Sequence, residues 1–383
     1  MTNSPLGPTG YATVCRYLAP RFQRMGHRVF IFAYWGIESE HPLMWNGIPI
    51  LPRWRDPWGK DIFMEHFKRT KSDILMPIFD IWVAPELVEK CDRVVGYVPT
   101  DHDPPAMMLL KVLKKCWKLI PFTKWAKNSL KKAGCKNLMD WIPHGVDTNL
   151  FRPMDKLECR KKWNLKEKDL DSFIIGIVAG NYDKEFRKRW DKQFEAIKIF
   201  KEQNPDCKLR VYLHTDVNNY VHGVDLNAML RFFGLDKITY MSDPYYFITQ
   251  LTYNRMPEVY NMFDVNLLIS SREGFGLPIL ESQACGVPCI ATDFASASEL
   301  VHPDLRVKVQ TKIMTPIISW TAIPDPWDAA MKIEKLWKSP DKMEKHKKWS
   351  LKFARKYDWD GDLVYGRWVT NLDKIQSELK VSK

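Results

Sequence analysis

Short apolar runs alternate with helical patterns along the first half of the chain. The runs are typical of buried strands and cover residues 28–34, 73–79, 93–99 and 118–123. The segments between them show the apolar spacing of helices, and two of these segments end at a glycine, as helices commonly do. The alternation predicts an α/β fold in which helices cover both faces of a parallel sheet.

A second series of apolar runs follows a polar, charge-rich stretch, "MDKLECRKKWNLKEKDLDS". These runs cover residues 173–180, 208–216, 238–243, 265–270 and 287–293. We therefore predict two Rossmann-like, doubly wound domains in tandem, an N-terminal one at 1–155 and a C-terminal one at 170–345. Ligands in such folds bind at the carboxyl ends of the strands.

The N-terminal domain begins with a loop, "TNSPLGPTG", and not with an apolar strand. A missing first strand would leave the backbone groups of its neighbours unpaired in a buried sheet. We therefore expect the first strand of this domain to be missing, through an upstream start or a truncated reading frame. If the strand is missing, the chain could also be a defective fragment that folds poorly.

The composition is that of a globular protein without a membrane span. Of 383 residues, 45% are hydrophobic, which is enough for a sizeable core. No apolar run reaches the ~18 to 20 residues that cross a bilayer, so we expect a cytoplasmic protein. The eight cysteines form no C-x-x-C pair, which favours reduced thiols over disulfides or a metal site.

The formal net charge of +12 favours anionic partners. Nucleotide phosphates, acidic lipid and nucleic acid all fit, and basic helices of the first half allow a peripheral membrane contact. The 16 tryptophans could stack on bases or sugars, although packing accounts for most aromatic residues. Charge therefore leaves open a non-catalytic protein that binds nucleic acid or an anionic surface.

The most specific chemical pattern is "SREGFGLPILESQACGVPCIATD", which begins at Ser271. It predicts a loop after a buried strand, then a helix that ends near a glycine, then the next strand. The loop presents the backbone amides of Gly274, Phe275 and Gly276 at a helix N-terminus, where anions bind readily. A glycine-rich turn that binds no ligand is the alternative.

Glu273 and Glu281 flank this turn. Because phosphate repels carboxylates, we expect them to face hydroxyl groups of a ribose or hexose. Glu281 could instead interact only with the helix dipole. A third possibility is a glycoside hydrolase, in which the pair would be acid and nucleophile roughly 5 to 10 Å apart.

The segment "EGFGLPILE" resembles the E-x7-E signature of retaining glycosyltransferases with the GT-B fold, in family four (glycosyl transferases group 1). The resemblance implies two Rossmann-like domains that face a cleft. It implies that Glu273 contacts hydroxyls of the transferred sugar, that Glu281 holds the ribose, and that the turn through Leu277 binds the donor. "WIPHGVDTNLFRP" is similar to the segment between the domains in that family.

Two further segments extend the resemblance to the donor phosphates. "PTGYATVCRYLAPRFQRMGHRV" is similar to the family's first loop and helix, which implies that Gly10 approaches the donor pyrophosphate. "GNYDKEFRKRWDKQFEAIKIF" resembles the segment whose basic pair neutralises the diphosphate. That pair would be Arg187 and Lys188, with Asn181 at a donor-binding position where many members have an arginine.

The remaining resemblances concern the reacting sugar and the end of the chain. "YVPTDHDPP" lies where members often have a histidine beside the sugar, so His102 is the catalytic candidate together with Glu273. Residues 346–383 look like the closing helix that crosses back to the first domain. The histidine flanked by acids could also be structural.

Together these patterns predict a hexosyltransferase of EC class 2.4. It would move a sugar from a nucleoside-diphosphate sugar to an acceptor hydroxyl on a glycan, a lipid or a small molecule. We expect no metal and no cofactor, because fixed cations can stabilise the departing diphosphate. We expect no specific binding of nucleic acid. The resemblance does not specify the base, the sugar or the acceptor.

Overall fold

The computed structural model describes residues 1–38, 41–182, 186–219, 221–245 and 253–381. The chain divides into two compact units, each of which is described by itself. The first unit consists of Met1–His144, Pro316–Ser319 and Trp359–Lys383. The second unit consists of Gly145–Thr315 and Trp320–Asp358.

Both units are built from strands and helices. The strands are β1 (Thr2–Asn3), β2 (Ile31–Trp35), β3 (Leu43–Trp45), β4 (Ile48–Pro52), β5 (Val95–Gly96), β6 (Lys118–Leu119), β7 (Phe173–Val178), β8 (Leu209–His214), β9 (Thr239–Met241), β10 (Val265–Leu268), β11 (Cys289–Thr292), β12 (Arg306–Val307), β13 (Val309–Thr315) and β14 (Ser319–Pro324). The helices are α1 (Gly10–Arg24), α2 (Phe63–Arg69), α3 (Glu86–Lys90), α4 (Met107–Leu113), α5 (Lys124–Lys132), α6 (Lys156–Lys162), α7 (Trp190–Gln203), α8 (Leu226–Phe232), α9 (Met256–Asn261), α10 (Leu277–Ala284), α11 (Ala295–Leu300), α12 (Pro326–Trp337), α13 (Pro340–Arg355) and α14 (Arg367–Val381).

The first strand, which the sequence indicated to be missing, is present in a short form. β1 pairs with β2 in parallel, and the sheet has the order β1-β2-β4-β3. On its other side, the Met1 ammonium donates a hydrogen bond to the Met76 carbonyl (2.9 Å), and the Met1 carbonyl accepts one from Ile78 N–H (2.9 Å). Three residues therefore satisfy the neighbouring backbone groups near Met1, where the sequence analysis expected them to be unpaired.

A cavity of about 300 Å³ adjoins Met1. Its walls include residues 28–31, which lead into β2, and residues 72–76 on the opposite side. Because β1 is parallel to β2, a longer β1 would run backwards from Met1 into this space. Burial lowers the pKa of the Met1 ammonium to about 6, since the charged form is poorly solvated there.

The second unit has a six-stranded parallel sheet with the order β12-β11-β10-β7-β8-β9. The chain runs outward from β7 in one direction and then from β10 in the other, so this pair is the switch point at which doubly wound folds bind ligands. Gly176 in β7 allows the Phe263 ring to pack closely, because a Cβ there would lie 2.1 Å from the ring.

The boundaries between the two units differ from the predicted domain boundaries at residues 155, 170 and 345. The chain enters the second unit at Gly145 and leaves it after Asp358. α13 stays in the second unit and packs against α10, so the return to the first unit begins later than residue 346. There Trp359 is buried and stacks on Tyr17 with ring centroids 5.1 Å apart.

Two hairpins, β3–β4 and β13–β14, were not predicted from the sequence. All eight cysteines are free in the structure, and seven of them are buried. Within the described ranges, no helix is both long enough and apolar enough to cross a bilayer.

Candidate functional site

The candidate site of the second unit is built around the loop between β10 and α10. Gly276 has a φ of 109°, in the left-handed region that favours glycine, and a Cβ there would lie 3.0 Å from Ile279. Pro278 follows in the first turn of α10, a position where a proline loses no helical hydrogen bond. α10 begins at Leu277, so the positive end of its dipole adjoins this loop, a position that favours anions.

Glu273, in the same loop, is only 6% exposed and is paired with two cations. The Lys188 ammonium donates to one carboxylate oxygen at 2.6 Å, and the Arg187 guanidinium lies 3.4 Å from the other. Burial raises the pKa of the Glu273 carboxyl, but Lys188 and Arg187 outweigh it and hold the pKa below its usual value. Glu273 is therefore ionised at neutral pH, and the cluster has a net positive charge.

The order of the strands explains why these three residues meet. Arg187 and Lys188 follow β7, Glu273 follows β10, and the two strands are neighbours at the switch point. The Arg187 carbonyl accepts hydrogen bonds from the backbone N–H (2.8 Å) and the hydroxyl (3.0 Å) of Ser271. Thr321 of β14 donates to the Ser271 carbonyl at 3.0 Å, so the missed hairpin also fixes the site.

Glu281 lies on α10 and is 8% exposed. Its carboxylate accepts a hydrogen bond of 2.7 Å from the buried hydroxyl of Tyr260, which lies on α9. Burial and the nearby Glu281 raise the pKa of Tyr260 well above its usual value, so Tyr260 stays a donor. The sequence analysis missed this residue, since a tyrosine in "MPEVYNMF" also fits the apolar face of a helix.

Asn181 is buried, and its side-chain amide binds backbone groups of the segment between β8 and α8. It donates to the carbonyls of Asp216 (3.2 Å) and Val224 (2.9 Å) and accepts from Val224 N–H (3.0 Å). Asn181 therefore has a structural function here, and its contact with a donor stays a prediction. A donor that bound its side chain would have to replace these bonds.

Two further cations after β7, Arg189 and Lys192, are paired with acidic residues close to them in sequence. Arg189 forms an ion pair with Asp191, and Lys192 pairs with Glu195 at 2.8 Å. Lys188 differs from Lys192, because Lys188 reaches a buried carboxylate in the loop after β10 and its side chain is itself 10% exposed. This difference makes Lys192 a useful control for Lys188.

In the first unit, Gly10 is exposed and is the first residue of α1. Thr9 caps the helix by accepting a hydrogen bond from Ala12 N–H, and the loop before it is bound to Arg16. The Arg16 guanidinium donates to the carbonyls of Pro5 (2.8 Å) and Gly7 (3.1 Å). The loop and the glycine at the start of the helix are thus present as predicted, the strand before them is the one that was expected to be missing, and the contact with pyrophosphate stays a prediction.

His102 is 7% exposed, and its Nδ1 lies 2.7 Å from the Asp101 carboxylate. With the proton assigned to Nδ1, this bond leaves the lone pair on Nε2. Nε2 is buried and has no hydrogen-bond partner in the part of the chain that the structure describes. The ring can therefore accept a hydrogen bond or a proton at Nε2, which fits the predicted catalytic role without testing it.

A second polar pair near Asp101 was not predicted from the sequence. The Tyr11 hydroxyl donates to the Asp80 carboxylate at 2.9 Å. Burial, followed by Asp80 and Asp101, raises the pKa of Tyr11 well above its usual value. These polar side chains of the first unit lie close enough to His102 to form one polar region, since Asp101 interacts with both Tyr11 and His102.

The arrangement does not favour the hydrolase alternative. A glycosidase needs one carboxylic acid whose raised pKa keeps it protonated. The pKa of Glu273 is lowered, and its carboxylate is engaged by Lys188 and Arg187. Glu281 accepts a hydrogen bond from Tyr260, as a carboxylate does.

Comparison with known proteins gives matches to glycosyltransferases. An uncharacterized glycosyltransferase of Sulfolobus islandicus rod-shaped virus 1 is 23% identical over 51% of this chain and 53% of its own length. A D-inositol 3-phosphate glycosyltransferase of Stackebrandtia nassauensis is 30% identical over 39% of this chain and 32% of its own. The chain thus spans about half or less of the length of these relatives.

Solved structures match over nearly the whole chain. Sucrose-phosphate synthase of Thermosynechococcus elongatus has a TM-score of 0.75 and 16% identity, covering 98% of this chain and 94% of that protein. HepE of Anabaena, in complex with UDP and glucose, has a TM-score of 0.66 and 14% identity over 98% and 97%. These likenesses show the fold, and they confirm the predicted GT-B fold.

The family model of glycosyl transferases group 1 matches residues 158–350, about half of the chain. The match includes the basic pair after β7 and both glutamates of the predicted signature. The geometry, the fold and this match agree, and the chain belongs to the glycosyl transferases group 1 family.

Proposed function

We propose that this protein transfers a sugar, with retention of its anomeric configuration, from a nucleoside-diphosphate sugar to an acceptor hydroxyl. The observation that supports the proposal most is the buried cluster of Glu273, Lys188 and Arg187. One carboxylate and two cations meet at the switch point of a doubly wound sheet, where nucleotides bind. The net positive charge suits a diphosphate, and the carboxylate suits the hydroxyls of a sugar.

The two cations would stabilise the departing diphosphate. At 4 Å, two unit charges near a protein surface interact by about 4 kcal/mol, and fixed charges cost no reorganisation during the reaction. Lys188 and Arg187 are held by Glu273, so they are in place before the donor arrives. The N-terminus of α10, with Gly274–Leu277, adds backbone amides. Transfer without metal or cofactor is part of this proposal.

The two glutamates would hold the donor and would not exchange protons with it. Glu273 is ionised, so it can accept hydrogen bonds from hydroxyls of the transferred sugar. Glu281 would bind the ribose with the carboxylate oxygens that Tyr260 orients. In this scheme the acceptor hydroxyl forms the new glycosidic bond, the bond to the diphosphate breaks on the same face, and the diphosphate takes the acceptor proton.

His102 and Gly10 complete the scheme on the first unit. We assign Nε2 of His102 a hydrogen bond to the reacting sugar, because this atom is buried and can accept one. Gly10 would let the pyrophosphate approach the backbone at the start of α1. We also propose a cytoplasmic enzyme with a glycan, lipid or small-molecule acceptor, and a peripheral contact of its basic helices with membranes.

Two findings on related proteins support the choice of donor. The HepE structure contains UDP and glucose, and several relatives are named as glycosyltransferases. A nucleoside-diphosphate sugar is therefore the first donor class to test. Isothermal titration of the purified chain with UDP, GDP and ADP should give one tight nucleotide, and Glu281→Gln should weaken its binding.

The stereochemistry needs a separate experiment. Proton NMR of the sugar released from the preferred donor should show the anomeric configuration of the donor in the first product formed. The inverted anomer as the first product would overturn the retaining mechanism. Failure to bind any of the three nucleotides would overturn the proposed function itself.

A further inference from the structure

A cluster of two histidines and one aspartate lies in the second unit, formed by His302, Asp304 and His346. One ligand atom from each side chain lies within 4.8 Å of the others. Asp304 Oδ2 is 3.7 Å from Nδ1 of His302 and 3.8 Å from Nε2 of His346. These distances exceed hydrogen-bond lengths, so the three groups converge without binding one another through these atoms.

The local structure fixes the directions of the two rings. His302 and Asp304 lie in the turn after α11, and His346 lies on α13. The two imidazoles meet edge to face with centroids 4.7 Å apart, and Trp349 packs on His302 at 5.1 Å. The cluster therefore joins a turn to a helix that is distant in sequence.

His346 is the member that most needs a partner. It is 2% exposed, and its Nδ1 is buried without a hydrogen-bond partner among the described residues. Its Nε2 points toward Asp304 at a distance too long for a hydrogen bond. With the proton assigned to Nδ1, the lone pair lies on Nε2, the nitrogen on the Asp304 side, and this atom can bind a ligand.

We propose that Nδ1 of His302, Oδ2 of Asp304 and Nε2 of His346 bind one Zn²⁺ ion. Two imidazoles and a carboxylate are a common zinc donor set, and the exposed side of Asp304 leaves room for water as the fourth ligand. With bond lengths of about 2.0 to 2.1 Å, tetrahedral ligands lie roughly 3.3 Å apart. The two distances from Asp304 need to shorten by about half an ångström to reach that value, and the two imidazole nitrogens, which lie within 4.8 Å of each other, by up to about 1.5 Å.

Two features limit the affinity. Nδ1 of His302 accepts a hydrogen bond from the Asp304 backbone N–H at 3.1 Å, and zinc would replace that donor. Arg306, Lys335 and Lys345 lie near His302, and their charges oppose a cation. Micromolar binding is therefore expected, weaker than in a site with three unopposed ligands.

The ion would stabilise a part of the unit that supports the candidate site. It would connect the turn after α11 with α13, and α13 packs against α10, the helix with Glu281. Zinc at this position has no contact with reacting groups in our proposal. The site is independent of the proposed donor chemistry and would exist in a protein with another activity.

The test is zinc binding by the full chain, purified without a histidine tag and treated with EDTA. Calorimetry should show one Zn²⁺ per chain, the melting temperature should rise with zinc, and Co²⁺ should give the visible absorption of a four-coordinate site. Asp304→Asn and His302→Gln should weaken binding at least tenfold. The matched control is His222→Gln, which removes an exposed histidine elsewhere.

Equal zinc affinity in Asp304→Asn and His222→Gln would overturn the proposal, as would a wild-type chain that binds no zinc or only several weak ions. Asp304 is exposed, so its replacement should fold normally, and the melting temperature in EDTA checks this. If His302→Gln unfolds, Asp304→Asn alone decides the outcome.

Discussion

Glu273 and Lys188 are a buried ion pair whose partners lie in segments that follow two neighbouring strands, β10 and β7. Sequence patterns indicated both residues separately, the glutamate from the signature and the lysine from the basic segment. They could not indicate the pair, because the residues are 85 positions apart and meet only through the strand order. Such pairs are sensitive to one-sided changes, since a lost partner leaves a buried charge behind.

Tyr260 supplies the first prediction at this scale. Tyr260→Phe removes the donor to the buried Glu281 carboxylate, so unfolding free energy should fall by about 1–3 kcal/mol and nucleotide affinity should fall as well. Tyr212→Phe is the matched control, because its hydroxyl is buried without a hydrogen-bond partner among the described residues. Urea unfolding should show no loss for Tyr212→Phe, and equal losses in both variants would contradict the role of Tyr260.

His144 supplies the second prediction, which concerns pH. Burial lowers its pKa from 6.5 to about 3, and its ring contacts the Tyr97 hydroxyl at 2.7 Å. Below pH 6.5 the unfolded chain binds a proton that the folded chain excludes, so stability should fall by about 1.4 kcal/mol per unit as the pH drops toward 3. Urea midpoints at pH 7, 6 and 5 measure this loss.

Two variants, His144→Gln and His222→Gln, separate the contribution of His144 from the loss of stability that other groups cause at low pH. The first should reduce the pH dependence, because it removes one of the buried histidines whose pKa is lowered. The second changes an exposed histidine and should leave the dependence as it is. A slope that His144→Gln leaves unchanged would show that other groups dominate.

At the scale of elements, the apolar runs of the second half predicted β7, β8, β10 and β11 because these strands are buried on both faces and read as continuous apolar segments. The hairpin β3–β4 was missed, although Asn46 and Gly47 between its strands are the residue pair that most strongly signals a tight turn. β13–β14 had no comparable signal. Its turn has Ile318 at a positive φ of 57°, a conformation that its sequence does not predict.

The short β1 and the cavity beside it give the third prediction. An engineered extension of three or four apolar residues before Met1 should continue β1 into the cavity and raise unfolding free energy by about 1–3 kcal/mol. The gain combines buried side chains with the loss of a buried ammonium. A Gly-Ser extension of the same length is the control, because it removes the ammonium without filling the cavity.

The pH dependence of this gain in stability separates the contribution of the buried side chains from that of the lost ammonium. The Met1 ammonium has its pKa lowered from 8.0 to about 6, so the unextended chain loses stability as the pH falls from 8 to 6. The apolar extension should therefore help more at pH 6 than at pH 8.5. Intact mass must confirm that Met1 is retained in the reference chain. An extension that changes neither stability nor its pH dependence would contradict this account of the cavity.

At the scale of the whole molecule, the sequence predicted the GT-B fold and the family, and the comparisons confirm both. The resemblance was strongest in the second half, where the family model matches. The strands of the first half are short, and β1 has only two residues. The pattern of this half therefore predicted the fold class but fewer of the individual strands. Many lysines that contribute to the net charge of +12 are not part of the proposed donor site.

The central claim is that the cluster around Glu273 stabilises a departing nucleoside diphosphate. The most direct measurement is the rate at which the chain releases diphosphate from UDP-, GDP- and ADP-sugars, compared among wild type, Lys188→Ala and Lys192→Ala. The wild type should turn over one donor, Lys188→Ala should be slower by about 10²–10³-fold at a temperature at which circular dichroism shows it to be folded, and Lys192→Ala should stay close to wild type. Equal rates in the two variants, or no release from any donor by the wild type, would contradict the account.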